Sequence, residues 1–167
     1  MPTTHKLIQT VNVTAGAGQA SIEFGSIPQT YTDLLLLTSV RSTSTGLGLI
    51  IQYNGVTTGY TSRYLEGSGA SASSGTLSIN QAGNSVSSAY TASVFANNAL
   101  YIPNYTGSTF KSSSCDATTE NNATTSYLDF YANLWSNTAA ITSIALTVSV
   151  GNFAQYSSAS LYGIKNS

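Results

Sequence analysis

An unbroken run of four leucines, Leu34-Leu35-Leu36-Leu37, constrains this chain more than any other stretch. Four leucines alone suit a buried helix as well as a strand. The flanks decide it. Ile27-Pro28 and a Tyr31-Thr32 turn precede the run, Asp33 opens it, and Val40-Arg41 leads out into Ser, Thr and Gly. A short apolar run closed at both ends by turn residues is the mark of a strand buried on both faces. Such a strand needs sheet neighbours on each edge and a further layer over its faces, so the other strands should be arranged around it.

Those other strands are visible as alternation. Lys6–Thr14 and Ala20–Phe24 alternate on either side of Ala15-Gly16-Ala17-Gly18 and read as an N-terminal hairpin. Leu47–Tyr53 ends at Asn54-Gly55, a strong hairpin signal, and Tyr60–Glu66 follows. Residues 67–89 are Gly- and Ser-rich, with strand character only in Thr76–Ile79, and are expected to form a long exposed loop or arm. Ala99–Pro103 and Thr109–Ala117 flank the turn Asn104–Gly107. In the aromatic stretch Tyr127–Trp135, Leu128, Phe130, Ala132 and Leu134 occupy the phase expected to face the core, leaving Tyr127, Asp129, Tyr131 and Asn133 outside. Ile141–Val150 and Ser158–Ile164 complete the set. About eight or nine strands with evenly spaced turns and no amphipathic helix predict an all-β fold. The expected architecture is a jelly-roll-like antiparallel β-sandwich forming one domain over residues 1–167.

Composition narrows the function. Only 7% of the 167 residues are charged, and the net charge is −1. Lys6, Arg41, Arg63, Lys111 and Lys165 are scattered, so the chain offers no electrostatic footprint for nucleic acid. No run is long and apolar enough to span a membrane as a helix. The N-terminal residues lack the apolar core of a signal peptide, so the expected route out of a cell is lysis or an assembled particle. The lone Cys115, among Ser112–Ser114 and Asp116, reads as a structural thiol.

Catalytic chemistry finds little to work with. His5, the one histidine, has no evident nucleophile and acid beside it, and no Gly-x-Ser-x-Gly elbow occurs. Paired carboxylates can hydrolyse glycosides. Among Glu23, Asp33, Glu66, Asp116, Glu120 and Asp129, Asp129 is the most interesting candidate, against a solvated strand face as the plain alternative. Asp116, Glu120, Asn121 and Asn122 lack the spacing of a calcium loop, so no metal and no cofactor is expected. The aromatic residues are the better lead, since Tyr, Ser, Asn and Gly make adaptable binding surfaces. Tyr60, Tyr64, Tyr101, Tyr105, Tyr127, Tyr131 and Trp135 are candidates to form a protein interface or to stack against sugars, with simple strand filling as the alternative. Arg63 and Glu66 are candidates to clamp a partner or to pair with each other.

Several segments together resemble small virion structural proteins of tailed bacteriophages. They are Pro2–Ile8, Phe24–Leu34, Arg63–Gly67, Tyr101–Tyr105, Leu134–Thr138 and Leu161–Lys165. The resemblance spans nearly the whole chain, and its motifs are structural. It implies a capsid decoration (cement) protein on the outer surface of the phage head, assembled in the host cytoplasm. Its partners would be the major capsid protein and further copies of itself, as a dimer or trimer, with no enzymatic activity. Two alternatives stay open: a tail-fibre or receptor-binding module recognising host surface glycans, and a small depolymerase acting through Asp129.

Overall fold

The computed structural model describes residues 4–121 and 126–165. Pro2, Thr3 and Asn122, which entered the reading above, lie outside them. The regular structure is all strand: β1 (His5–Asn12), β2 (Ile22–Phe24), β3 (Asp33–Val40), β4 (Gly48–Tyr53), β5 (Tyr60–Gly67), β6 (Ala72–Leu77), β7 (Gln81–Asn84), β8 (Ala96–Ile102), β9 (Lys111–Thr118), β10 (Leu128–Trp135), β11 (Ile144–Val148) and β12 (Ser158–Ile164). They form an eight-stranded sheet, β1-β12-β3-β8-β9-β10-β5-β6, and a four-stranded sheet, β2-β11-β4-β7. Every strand pairing is antiparallel.

The pairings are nested. β1 pairs with β12, β2 with β11, β3 with β8 and β4 with β7, like rungs of one long hairpin rolled into two layers. That wrapping is a jelly roll. Two hairpins are inserted into it. β5–β6 lies between β4 and β7, and β9–β10 lies between β8 and β11. Their strands β5 and β10 pair with each other. The inserts therefore double the width of one sheet and leave the other at four strands. This is why there are twelve strands where eight or nine were expected.

The leucine strand holds the expected central place, paired by β12 and β8 on its two edges. Only one of its faces is covered, however. Leu34 and Leu36 are buried in the core, while Leu37 is exposed on the outer face. The core is one cluster drawn from both sheets, with Ile22, Phe24, Leu49, Ile51, Leu146 and Phe153 packed toward Leu34, Leu36, Leu100 and Leu161.

Two expected hairpins are instead crossovers between sheets. β1 and β2 do not pair, because the Ala15–Gly18 turn carries the chain from one layer to the other; Gly18 sits at φ +84 against the Phe153 carbonyl. The Asn54-Gly55 turn forms, with both residues at positive φ, but β4 and β5 then diverge into different sheets. The Asn54 side chain is drawn sideways into the 140–143 loop, donating to the Ala140 carbonyl at 2.8 Å and accepting from Thr142 N at 2.8 Å.

Residues 67–89 are not a free arm. They build β6 and then β7, whose Ala82 and Asn84 are buried under the eight-stranded sheet. Small side chains are what let the chain run there. Gly83, at φ +125, lies against the Asn98 amide, and a Cβ would overlap it. Asn98 also accepts from Asn84 N at 2.7 Å and donates to the Asn84 carbonyl at 2.9 Å. Gly83→Ala is therefore expected to cost about 1–3 kcal/mol from backbone strain alone, and more with the lost Asn98 bonds, read as a lower urea midpoint.

Cys115 is fully buried on β9, with its thiol directed at the Ala82 carbonyl. Burial, with a smaller push from Asp116, raises the thiol to about 12. Aromatic disulfide reagents should leave it unmodified at pH 8 in the folded protein and titrate one thiol per chain in denaturant.

Candidate functional site

The inserted half of the large sheet sets both of its faces apart. Strand β10 runs in the phase opposite to expectation: Asp129, Tyr131, Asn133 and Trp135 point inward, and Leu128, Phe130 and Ala132 point to solvent. The reason is the cost of leaving the largest rings wet. Trp135 packs at 5.4 Å from Tyr53 and stacks at 6.0 Å on Tyr60. With a side-chain period of two, burying Trp135 and Tyr131 carries Asp129 and Asn133 inward with them.

Those inward polar groups are met by β7. Tyr131 Oη donates to Asn84 Oδ1 at 2.8 Å and accepts from Gln81 Nε2 at 3.0 Å. Asn133 Nδ2 donates to the Gln81 carbonyl at 3.1 Å. Asn84 Nδ2 donates to Asp129 Oδ2. A buried polar layer thus joins the two sheets where the expected apolar phase would have stood.

The candidate interface residues divide accordingly. Tyr60, Tyr105, Tyr131 and Trp135 are core residues with no surface to offer a partner. The Tyr60 hydroxyl accepts from Tyr53 N at 2.9 Å and donates to the Val56 carbonyl at 3.0 Å, holding the Asn54 turn. Tyr105 Oη donates to the Pro28 carbonyl, tying down the entry to the leucine strand. Tyr64 and Tyr127 are half-buried around the polar layer. Arg63 and Glu66, three apart on β5, point to opposite faces and do not pair. Arg63 reaches Thr76 Oγ1 on the outside, and Glu66 accepts from Ser73 Oγ at 3.2 Å on the inside.

Asp129 is neither a solvated strand residue nor open to a substrate: it is 3% exposed. Burial raises its carboxyl above the ordinary range, the Asn84 bond opposes that, and Glu66 adds to it. The groups facing it are Glu66 on β5, Tyr131 on β10, Cys115 on β9 and Tyr127 before β10. A carboxyl raised in the folded state stabilises the fold fully below its unfolded pKa of about 3.9, and that contribution is lost as pH rises through the folded value. Asp129→Asn keeps an acceptor for Asn84 and removes the ionisation. In buffer free of divalent ions it should be at least as stable as wild type at pH 7, with a flatter fall in melting temperature above pH 4.

The outward phase is the more open feature. Phe130 pairs in register with Leu65, and Leu128 lies one residue pair along; they are 47%, 63% and 65% exposed. Open grooves of about 430 Å³ and 480 Å³ flank the Phe130–Leu65 ridge, one bordered by Arg63, Thr76 and Ala132, the other by Ala72, Asp116 and Leu128. Towards the other end, Leu35 is flanked in register by Tyr162 and Tyr101, with Leu7 beyond Tyr162. The eight strands make a face about 34 Å across. The sequence signal for it was present in Leu128 and Phe130, which were assigned to the wrong side of the sheet; Leu65 was assigned to neither side.

Among the described residues no helix is long and apolar enough to cross a membrane, and no three His, Cys, Asp or Glu side chains gather as metal ligands. Comparison of the chain with known protein families, curated proteins and solved structures returned no match.

Proposed function

We propose that the chain is a non-catalytic virion structural protein, a capsid decoration protein that attaches to the phage head through the outer face of its eight-stranded sheet. The observation that carries the reading is the Phe130–Leu65–Leu128 ridge, three large apolar side chains exposed side by side on a sheet face that no other described residue covers. Contiguous exposed apolar surface on a soluble domain marks a contact site. The jelly roll recurs in viral shell proteins and also in lectins, so the fold narrows the class by analogy only. The assignment to a phage particle rests on the segment resemblance alone.

Attachment of this kind draws on apolar area at the ridge, with Arg63, Thr76 and Asp116 as its polar rim. Each contact is modest, and a dimer or trimer engaging several capsid subunits multiplies it. Electron cryomicroscopy of particles carrying the protein tests the location. Jelly-roll density at repeated sites on the head lattice, with β5 and β10 against the shell, is the expected result. Density confined to the tail tip would replace decoration by receptor binding.

A further inference from the structure

We propose that the cleft between β7 and the β5–β10 pair is a divalent-cation site, and that Ca²⁺ is the ion it fits. The inference stands apart from the capsid reading. It begins with register: Asp129 on β10 and Glu66 on β5 are direct cross-strand partners, both on the inner face. That puts their Cβ atoms about 5 Å apart, and like charges so placed repel. The chain has only six carboxylates, and two of them face each other.

A second observation points to an occupant. Behind the pair lies a cavity of about 150 Å³ whose wall includes Glu66, Asp129, Asn84, Ser85, Thr119 and Tyr127. Two oxygens of that wall, Asp129 Oδ1 and Ser85 Oγ, are buried without a hydrogen-bond partner among the described residues. Buried oxygens of this kind are normally satisfied. A water molecule would serve both of them. It would leave two facing carboxylates uncompensated, and no Lys, Arg or His lines the cavity.

The donor chemistry selects the ion. The wall offers carboxylate, hydroxyl and amide oxygens, with no imidazole or thiolate, which disfavours zinc. Ca²⁺ accepts six to eight oxygens in flexible geometry, whereas Mg²⁺ demands a strict octahedron and retains its water. Two carboxylates balance the charge of one divalent ion. Sites with few charged ligands bind Ca²⁺ with a Kd of roughly 10⁻⁴–10⁻³ M.

The test uses the full chain, stripped with EDTA and dialysed. Melting is followed against CaCl₂ and MgCl₂, and Tb³⁺ luminescence excited through tyrosine reports occupancy directly. The expected result is a saturable rise in melting temperature with Ca²⁺, little with Mg²⁺, and sensitised Tb³⁺ emission that Ca²⁺ displaces. Glu66→Gln, at a half-buried position that should tolerate it, and Asp129→Asn should each weaken binding at least tenfold. Circular dichroism confirms that both variants fold. No saturable shift with Ca²⁺ in the wild type overturns the proposal. So does undiminished binding in both variants, which would place the ion elsewhere. If wild type ignores Ca²⁺ while Asp129→Asn gains stability in its absence, the pair is relieved by a proton and the site is not a metal site.

Discussion

Trp135→Ala is expected to lose most or all of the folded state. Trp135 is 1% exposed and closes the core against Tyr53 and Tyr60, at 5.4 Å and 6.0 Å between ring centroids. Truncating a buried tryptophan costs about 3–5 kcal/mol. Aromatic pairs of this geometry add about 0.5–1.5 kcal/mol beyond the buried area. A domain of this size has only about 5–15 kcal/mol in hand. The loss also reaches past the local cavity, because Trp135 fixes which phase of β10 faces inward. Without it, the Leu128 phase competes for the core, and the Asp129–Asn84 and Tyr131–Gln81 bonds become harder to keep. Urea unfolding followed by tyrosine fluorescence measures this. An unchanged midpoint, with loss of partner binding only, would make Trp135 an interface residue and contradict the packing described above.

Phe130→Lys is expected to do the reverse. The side chain stands on the outer face between Leu65 and Asp116, its register partners on β5 and β10's other neighbour β9. A lysine there finds Asp116 across the strand pair, so stability should move by no more than about 0.5 kcal/mol. A charge driven into an apolar contact is costly, and an anchor residue of this kind is worth about 2 kcal/mol or more. Attachment to particles should therefore weaken by about 30-fold or more, with the jelly roll intact. Leu65→Lys should behave alike. Full attachment by the Phe130→Lys protein would remove the ridge from the docking surface.

These two residues also show where the sequence was readable and where it was not. Strand existence and the jelly-roll class followed from alternation and turns, which are local properties. The central position of Leu34–Leu37 followed from its flanks. The phase of β10 did not. Summed hydrophobicity favours Leu128, Phe130, Ala132 and Leu134; burial of the Trp135 and Tyr131 rings reverses that preference, and it holds because Asp129, Tyr131 and Asn133 find partners inside. Those partners sit on β7, Gln81–Asn84, four residues without strand propensity inside a Gly/Ser-rich stretch that reads as a loop. Their pairing depends on Gly83 fitting against Asn98, a close approach that no periodicity records. For the same reason the Asp129–Glu66 pair was invisible: the two are 63 residues apart in sequence and meet only through register. The Asn54-Gly55 turn was right as a turn and wrong as a hairpin, because a tight turn does not specify which sheet receives the next strand.

Copy number in purified virions tests most directly the proposal that this protein covers the head of a phage particle. Quantitative mass spectrometry against the major capsid protein gives the ratio. A decoration protein should stand at parity with the capsid protein or at a simple fraction of it. A handful of copies per particle, or none, would contradict decoration of the head.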